Sequence, residues 1–119
     1  MKAEIKRVHS PDIHDLSSYK PDDREDFYFL LQLMIGEKGK EGEESFDIIV
    51  CSPKGLMKNY ERNDIIFGAN HLIAFEYNYG KILQKLKDYI DGLDENNWDA
   101  LAEKISRIAQ WEFQDYKET

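Results

Sequence analysis

Phe27-Tyr28-Phe29-Leu30-Leu31-Gln32-Leu33-Met34-Ile35 is the stretch on which the fold turns. Read with a period of two, Phe27, Phe29, Leu31, Leu33 and Ile35 share one face, while Tyr28, Leu30 and Met34 fill most of the other. A strand apolar on both sides predicts a place in the middle of a sheet, covered at least partly on each face. The same run is far too short to span a bilayer as a helix.

Downstream, Gly36, Gly39 and Gly42 punctuate a charged loop, and then Phe46, Ile48 and Val50 alternate inward over residues 46–51. Flexible glycines between two such runs predict a long hairpin. Upstream, residues 3–8 read as an amphipathic strand near a sheet edge, with Ala3, Ile5 and Arg7 on one face and Glu4, Lys6 and Val8 on the other. Residues 10–26 are polar and hold Pro11 and Pro21, a long connection of the kind that is often functional or mobile. Pro53 suits the first turn of a short helix, which Leu56, Met57 and Tyr60 extend by one or two turns. Residues 65–67 and 71–77 predict two further extended segments split by Gly68. The second of these has His71, Ile73, Phe75 and Tyr77 on one face.

Helical spacing follows. Asn78 is placed to cap a helix running to about residue 91, with a stripe of Tyr79, Ile82, Leu83, Leu86 and Ile90. Gly92 is expected to end it in the left-handed conformation. A second helix starts near Asn96 or Asn97, with a stripe of Trp98, Leu101, Ala102, Ile105, Ile108 and Ala109, and the short joint favours an antiparallel pair. Strands first and helices last predict a single α+β domain over residues 1–119: an antiparallel sheet of about four to five strands with the C-terminal antiparallel helix pair packed on it.

The chain carries 24 acids against 16 bases, a net charge of −8. That balance argues against nucleic acid and anionic membrane as partners, which both reward clustered cations, and permits a cationic one. The acids are uneven. Residues 88–119 hold nine acids and three bases, and Asp22-Asp23-Arg24-Glu25-Asp26 forms a second cluster. One cysteine, Cys51, excludes an internal disulfide and fits a reducing compartment. Residues 1–7 show no apolar stretch of a secretory signal, so the expected location is the cytoplasm.

Chemistry is hard to find. Asp12, His14 and Asp15 are the nearest thing to metal ligands, but three donors within four residues rarely close a site unaided, and no metal or cofactor is expected. Cys51 and His71 form a nucleophile pair in principle if their strands are adjacent, although a lone buried cysteine is more often a small core hydrophobe. The glycines of residues 36–42 are interleaved with glutamates that would repel phosphate. No catalytic motif survives, and the chain reads as a non-enzyme.

The ending is more telling. Up to Ala109 the apolar residues keep helical spacing; in Trp111-Glu112-Phe113-Gln114-Asp115-Tyr116 aromatics alternate with acids instead. The chain there must turn or become extended, and its rings either cover the sheet or stand out as interface anchors. Asp91, Asp94, Glu95, Trp111, Glu112, Asp115 and Tyr116 make one candidate partner-binding surface, and Asp22, Asp23, Glu25 and Asp26 a second.

Three passages together carry a resemblance. They are Glu44-Ser45-Phe46-Asp47-Ile48-Ile49-Val50-Cys51-Ser52-Pro53 with Leu56, Phe67 with His71-Leu72-Ile73-Ala74-Phe75-Glu76-Tyr77-Asn78, and Trp98 with the closing Trp111 to Tyr116 segment. In order and spacing the chain resembles the immunity protein 8 family of bacterial polymorphic-toxin and contact-dependent inhibition systems, with Ser52 standing where threonine is expected. The resemblance implies a small cytoplasmic α+β protein, without enzymatic activity, that binds and neutralises the C-terminal domain of a cognate toxin. A toxin acting on nucleic acid presents a basic cleft that an acidic inhibitor can occupy. The competing readings are an interaction module or homodimer with no toxin partner, and a small Cys51/His71 hydrolase.

Overall fold

The computed structural model describes residues 1–114. Its elements run β1 (Ala3–His9), β2 (Tyr28–Glu37), β3 (Glu44–Cys51), α1 (Pro53–Asn59), β4 (His71–Ile73), α2 (Tyr79–Asp91), α3 (Trp98–Ile105) and β5 (Gln110–Trp111). The sheet order is β1-β2-β3-β4, and β5 pairs with the other half of β3. β2 is therefore central, as its two apolar faces require. β1 lies at the edge.

Two expectations about the sheet need correcting. It is mixed rather than antiparallel, because β4 runs parallel to β3 while β1, β2, β3 and β5 pair antiparallel. The five strands are also not the five the pattern suggests. Residues 65–67 belong to no strand, and the fifth strand is the two-residue β5. β1 departs from simple alternation too. A register shift between Ile5 and Arg7 sets Ile5 opposite Ile35 and Val8 opposite Leu33, so both turn toward the core. A bulge is how an edge strand changes face without losing its pairing.

One face of the sheet makes the core. Phe29, Leu31, Leu33 and Ile35 of β2 and Phe46, Ile48 and Val50 of β3 are buried against Ile82, Leu86 and Ile90 of α2 and Leu101, Ala102 and Ile105 of α3. Burying each such side chain contributes roughly 1.5–3 kcal/mol, so these stripes hold the fold. Both helices start as the sequence predicts: the Oδ1 atoms of Asn78 and Asn97 accept from Lys81 N at 3.1 Å and Ala100 N at 2.9 Å. Gly92 does not take the left-handed conformation, since its φ is −78°. α3 stops at Ile105, and Ile108 and Ala109 complete its stripe from a turn.

Residues 10–26 are irregular but held. Ile13, Leu16 and Tyr19 pack against the core, and the Tyr19 ring meets Phe29 and Tyr77 edge-on at 5.9 and 5.4 Å. Asp12 Oδ2 accepts from Leu30 N at 2.8 Å, just beyond the last β1 partner, and so serves as a surrogate strand edge.

The opposite face of the sheet is covered at one end. There Ser52 is fully buried and its Oγ accepts from Gly55 N and Phe27 N, each at 3.0 Å. This hydroxyl caps α1 and ties it to the start of β2, which explains a hydroxyl residue at the position where threonine is the expected alternative. Gly55 sits so close that an added Cβ would lie 1.9 Å from Phe27 O. Past α1, Tyr60 meets Tyr28 and His71, both on this outer face. Farther along, Leu30, Gln32, Met34 and Ile49 are only half-buried.

Candidate functional site

Trp111 resolves the open question about the ending: it covers the sheet. In β5 its ring stacks on Phe46 at 6.3 Å with an interplanar angle of 10°. Trp98 meets the same Phe46 ring edge-on at 6.4 Å. Both indole N–H groups donate to one carboxylate oxygen, Glu44 Oε2, each at 2.7 Å. Glu112 is spent in the same way, its Oε1 accepting from Ser45 N at 2.7 Å while its own N–H donates to Ser45 O at 3.0 Å. The acidic and aromatic residues of this end therefore bind one another first. What remains open is a groove of about 610 Å³ whose walls include Glu44, Asp99, Glu103, Trp111 and Phe113. Glu44, Asp99 and Glu103 form no ion pair among the described residues. Glu44 is a residue that sequence reasoning missed, because its partners lie 54 and 67 positions away. Asp115 and Tyr116 lie outside the described residues.

The remaining predicted acids divide into tied and free. Asp94 accepts from the Met1 ammonium at 3.1 Å, which holds its carboxyl below the ordinary value, and Glu95 pairs with Lys104. Asp23 pairs with Lys54 at 2.8 Å, and that contact lowers its carboxyl most. Asp26 pairs with Lys58, and Arg24 with Glu76 at 3.0 Å. Asp22, Glu25 and Asp91 are exposed and make no ion pair among the described residues. Exposed pairs of this sort add little to stability; their effect is to fasten residues 22–26 to α1 on one side and to Glu76 on the other.

A region given no site residue by the sequence is the barest on the molecule. Residues 61–70, between α1 and β4, leave Ile65 99% and Phe67 95% exposed; Met57 in α1 is 79% exposed and Phe75 beyond β4 76%. The segment is nonetheless shaped. Glu61 N donates to Asp64 Oδ2 at 2.8 Å and Asp64 N donates to Glu61 O at 3.0 Å, closing a turn. Ile66 folds back beside Leu56, Met57 and Tyr60 around a hollow of about 390 Å³. At the far end Asn70, with φ of 59°, swings the chain into β4. β4 then lasts only three residues, and the expected common face of His71, Ile73, Phe75 and Tyr77 breaks at a bend, leaving Phe75 outside and Tyr77 buried.

The Cys51 and His71 arrangement does not resemble an activated nucleophile. Register sets His71 opposite Ile49 and Cys51 opposite Ile73. His71 Nδ1 lies 2.7 Å from Ala69 O and Nε2 lies 3.3 Å from Tyr60 Oη, so both ring nitrogens are engaged elsewhere. Burial pushes the Cys51 thiol up, the opposite of what a nucleophile requires. Asp15 is turned inward on Ser17 and Ser18, and no group of three or more candidate ligands among the described residues converges on a metal site. No helix among them is long and apolar enough to cross a membrane.

A small α+β domain with an acidic groove at one end and a bare apolar loop elsewhere has the surface of a protein-binding module. The family model for immunity protein 8 matches residues 3–116, and the chain belongs to that family. Membership makes it an immunity protein of a toxin system, whose implied partner is a protein toxin. No curated protein and no solved structure matches it.

Proposed function

We propose that the chain acts without catalysis, by binding a basic C-terminal toxin domain, of a kind that acts on nucleic acid, and holding it inactive in the cytoplasm of the producing cell. The observation that carries this is the groove at the α3–β5 end, where the Glu44, Asp99 and Glu103 carboxylates, none of them in an ion pair among the described residues, stand beside the rings of Trp111 and Phe113. Carboxylates next to indole and phenyl faces suit an arginine or lysine side chain, which gains charge-assisted hydrogen bonds and ring contact together. Asp22, Glu25 and Asp91 add to a negative field that steers a cationic partner inward. Asp23, Asp26, Asp94, Glu95 and Glu112 contribute to the same field while anchoring their own loops; Asp115 and Tyr116, outside the described residues, are proposed as further partner-binding residues.

Co-expression tests the whole function. Cells carrying the toxin domain encoded beside this chain survive when the chain is present, and the two co-purify. Asp99→Lys with Glu103→Lys tests the groove: association at low salt slows by about tenfold or more, and the effect fades at high salt. A toxic domain neither rescued nor bound would refute the function. Unchanged association of the double variant removes the groove from it.

A further inference from the structure

The bare apolar loop and the acidic cluster of residues 22–26 belong to one continuous surface. Asp23–Lys54 and Asp26–Lys58 pin the cluster along α1, and Arg24–Glu76 pins it beside Phe75. Tyr77 N also donates to Arg24 O at 2.7 Å. On the other flank of α1, Ile66 shares a hollow with Leu56, Met57 and Tyr60, and Tyr60 makes a contact with His71 in β4. Ile73, half-exposed, follows two residues along that strand. Met57, Ile65, Phe67, Ile73 and Phe75 are exposed apolar side chains of these segments. Asp22, Glu25, Glu61 and Asp64 of these segments make no ion pair among the described residues, and of the cations there Lys20 and Arg62 make none either.

We propose that this surface is the anchor by which the chain grips its toxin, fitted to an apolar pocket rimmed by lysine and arginine, on the premise that the chain is a toxin-binding immunity protein. This surface shares no residue with the lining of the Trp111 groove, which gives a division of labour: the acids speed encounter, and the apolar anchors slow release. Ile65 and Phe67 are near-fully exposed on a segment braced by the Glu61–Asp64 turn, which keeps them presented rather than collapsed. A second copy of the chain is the poorer occupant. Each copy has a net charge of −8, and an isologous contact would bring two acidic rims face to face.

Titration of the full chain with a catalytically silenced form of the toxin domain encoded beside it provides the test. Ile65→Ser with Phe67→Ser raises the dissociation constant by about 30-fold or more, mainly through faster release, with the melting temperature unchanged. Asp22→Lys with Glu25→Lys and Asp64→Lys slows association by about tenfold at low salt and little at high salt. Wild-type affinity in the Ile65/Phe67 double variant overturns the anchor while leaving the toxin-binding function intact. A wild-type chain that fails to bind the domain overturns that function as well. Sedimentation of the wild type as a dimer that the double variant converts to monomer assigns the surface to a second copy and also overturns the anchor.

Discussion

Trp111 and Phe67 sit in segments of similar character, each a short run of large apolar side chains with acids close by, yet they end in opposite states. Trp111 stacks on Phe46 and donates its indole N–H to Glu44, and Glu112 beside it closes onto Ser45. Phe67 is 95% exposed, in a loop held at its two ends by hydrogen bonds of Glu61 and Asp64 and of Ala69 and Asn70. The difference is one of available partners. β3 leaves an unpaired edge at Phe46 and Asp47, which β5 fills, whereas residues 65–67 reach no free strand edge and no uncovered part of the core. Aromatic content alone therefore says little about exposure; a vacant edge within reach decides it.

The comparison breaks most visibly at Trp111. Trp111→Ala removes a stacked ring and an indole donor, and is expected to cost about 3 kcal/mol, the low end for so large a truncation because the ring is half-buried. Chemical denaturation measures it; a loss under about 1 kcal/mol would mean that the ring is an ornament of the sheet. Next in size is Ser52→Ala, which strips a buried cap shared by Gly55 N and Phe27 N and is expected to cost about 1–2 kcal/mol. Because α1 carries Met57 and braces Ile66, that variant should also loosen the loop, visible as faster amide exchange over residues 56–66.

Tyr77→Phe acts in the other direction. The buried Tyr77 hydroxyl has no hydrogen-bond partner among the described residues, and burial pushes its ionisation up to about 12. Removing it should stabilise the fold by about 1 kcal/mol at neutral pH. The folded chain keeps this proton over a range in which the unfolded chain loses it, so Tyr77 drains stability as pH rises from its ordinary value of 10.0 toward about 12. The variant should flatten part of that alkaline loss, and an unaltered alkaline limb in a denaturation series would assign the loss elsewhere. The smallest effect belongs to Phe67→Ser, expected to change stability by no more than about 0.5 kcal/mol. A loss comparable to that of Trp111→Ala would erase the contrast between the two segments.

Much of the fold was legible. Strict alternation in residues 27–35 placed β2 in the centre, and the stripes of Ile82, Leu86 and Ile90 and of Leu101, Ala102 and Ile105 identified the helices with their asparagine caps. Periodicity is a local property that burial enforces residue by residue. The site was less legible. Asp22 and Glu25 make no ion pair among the described residues, but Asp23, Asp26, Asp94 and Glu95 each have a cationic partner, and in all four the partner is at least nine residues away. Composition counts charges without pairing them.

By itself the sequence determined the class of fold, the core faces, the helix starts and, through three short passages, the family. Tertiary structure alone decided that β4 runs parallel, that Glu44 joins two tryptophans, and that Ile65-Ile66-Phe67 stays outside. The physical reason is range. Side-chain periods and caps act over a few residues, whereas strand partners, ion pairs and exposure depend on which distant segments the tertiary fold brings together.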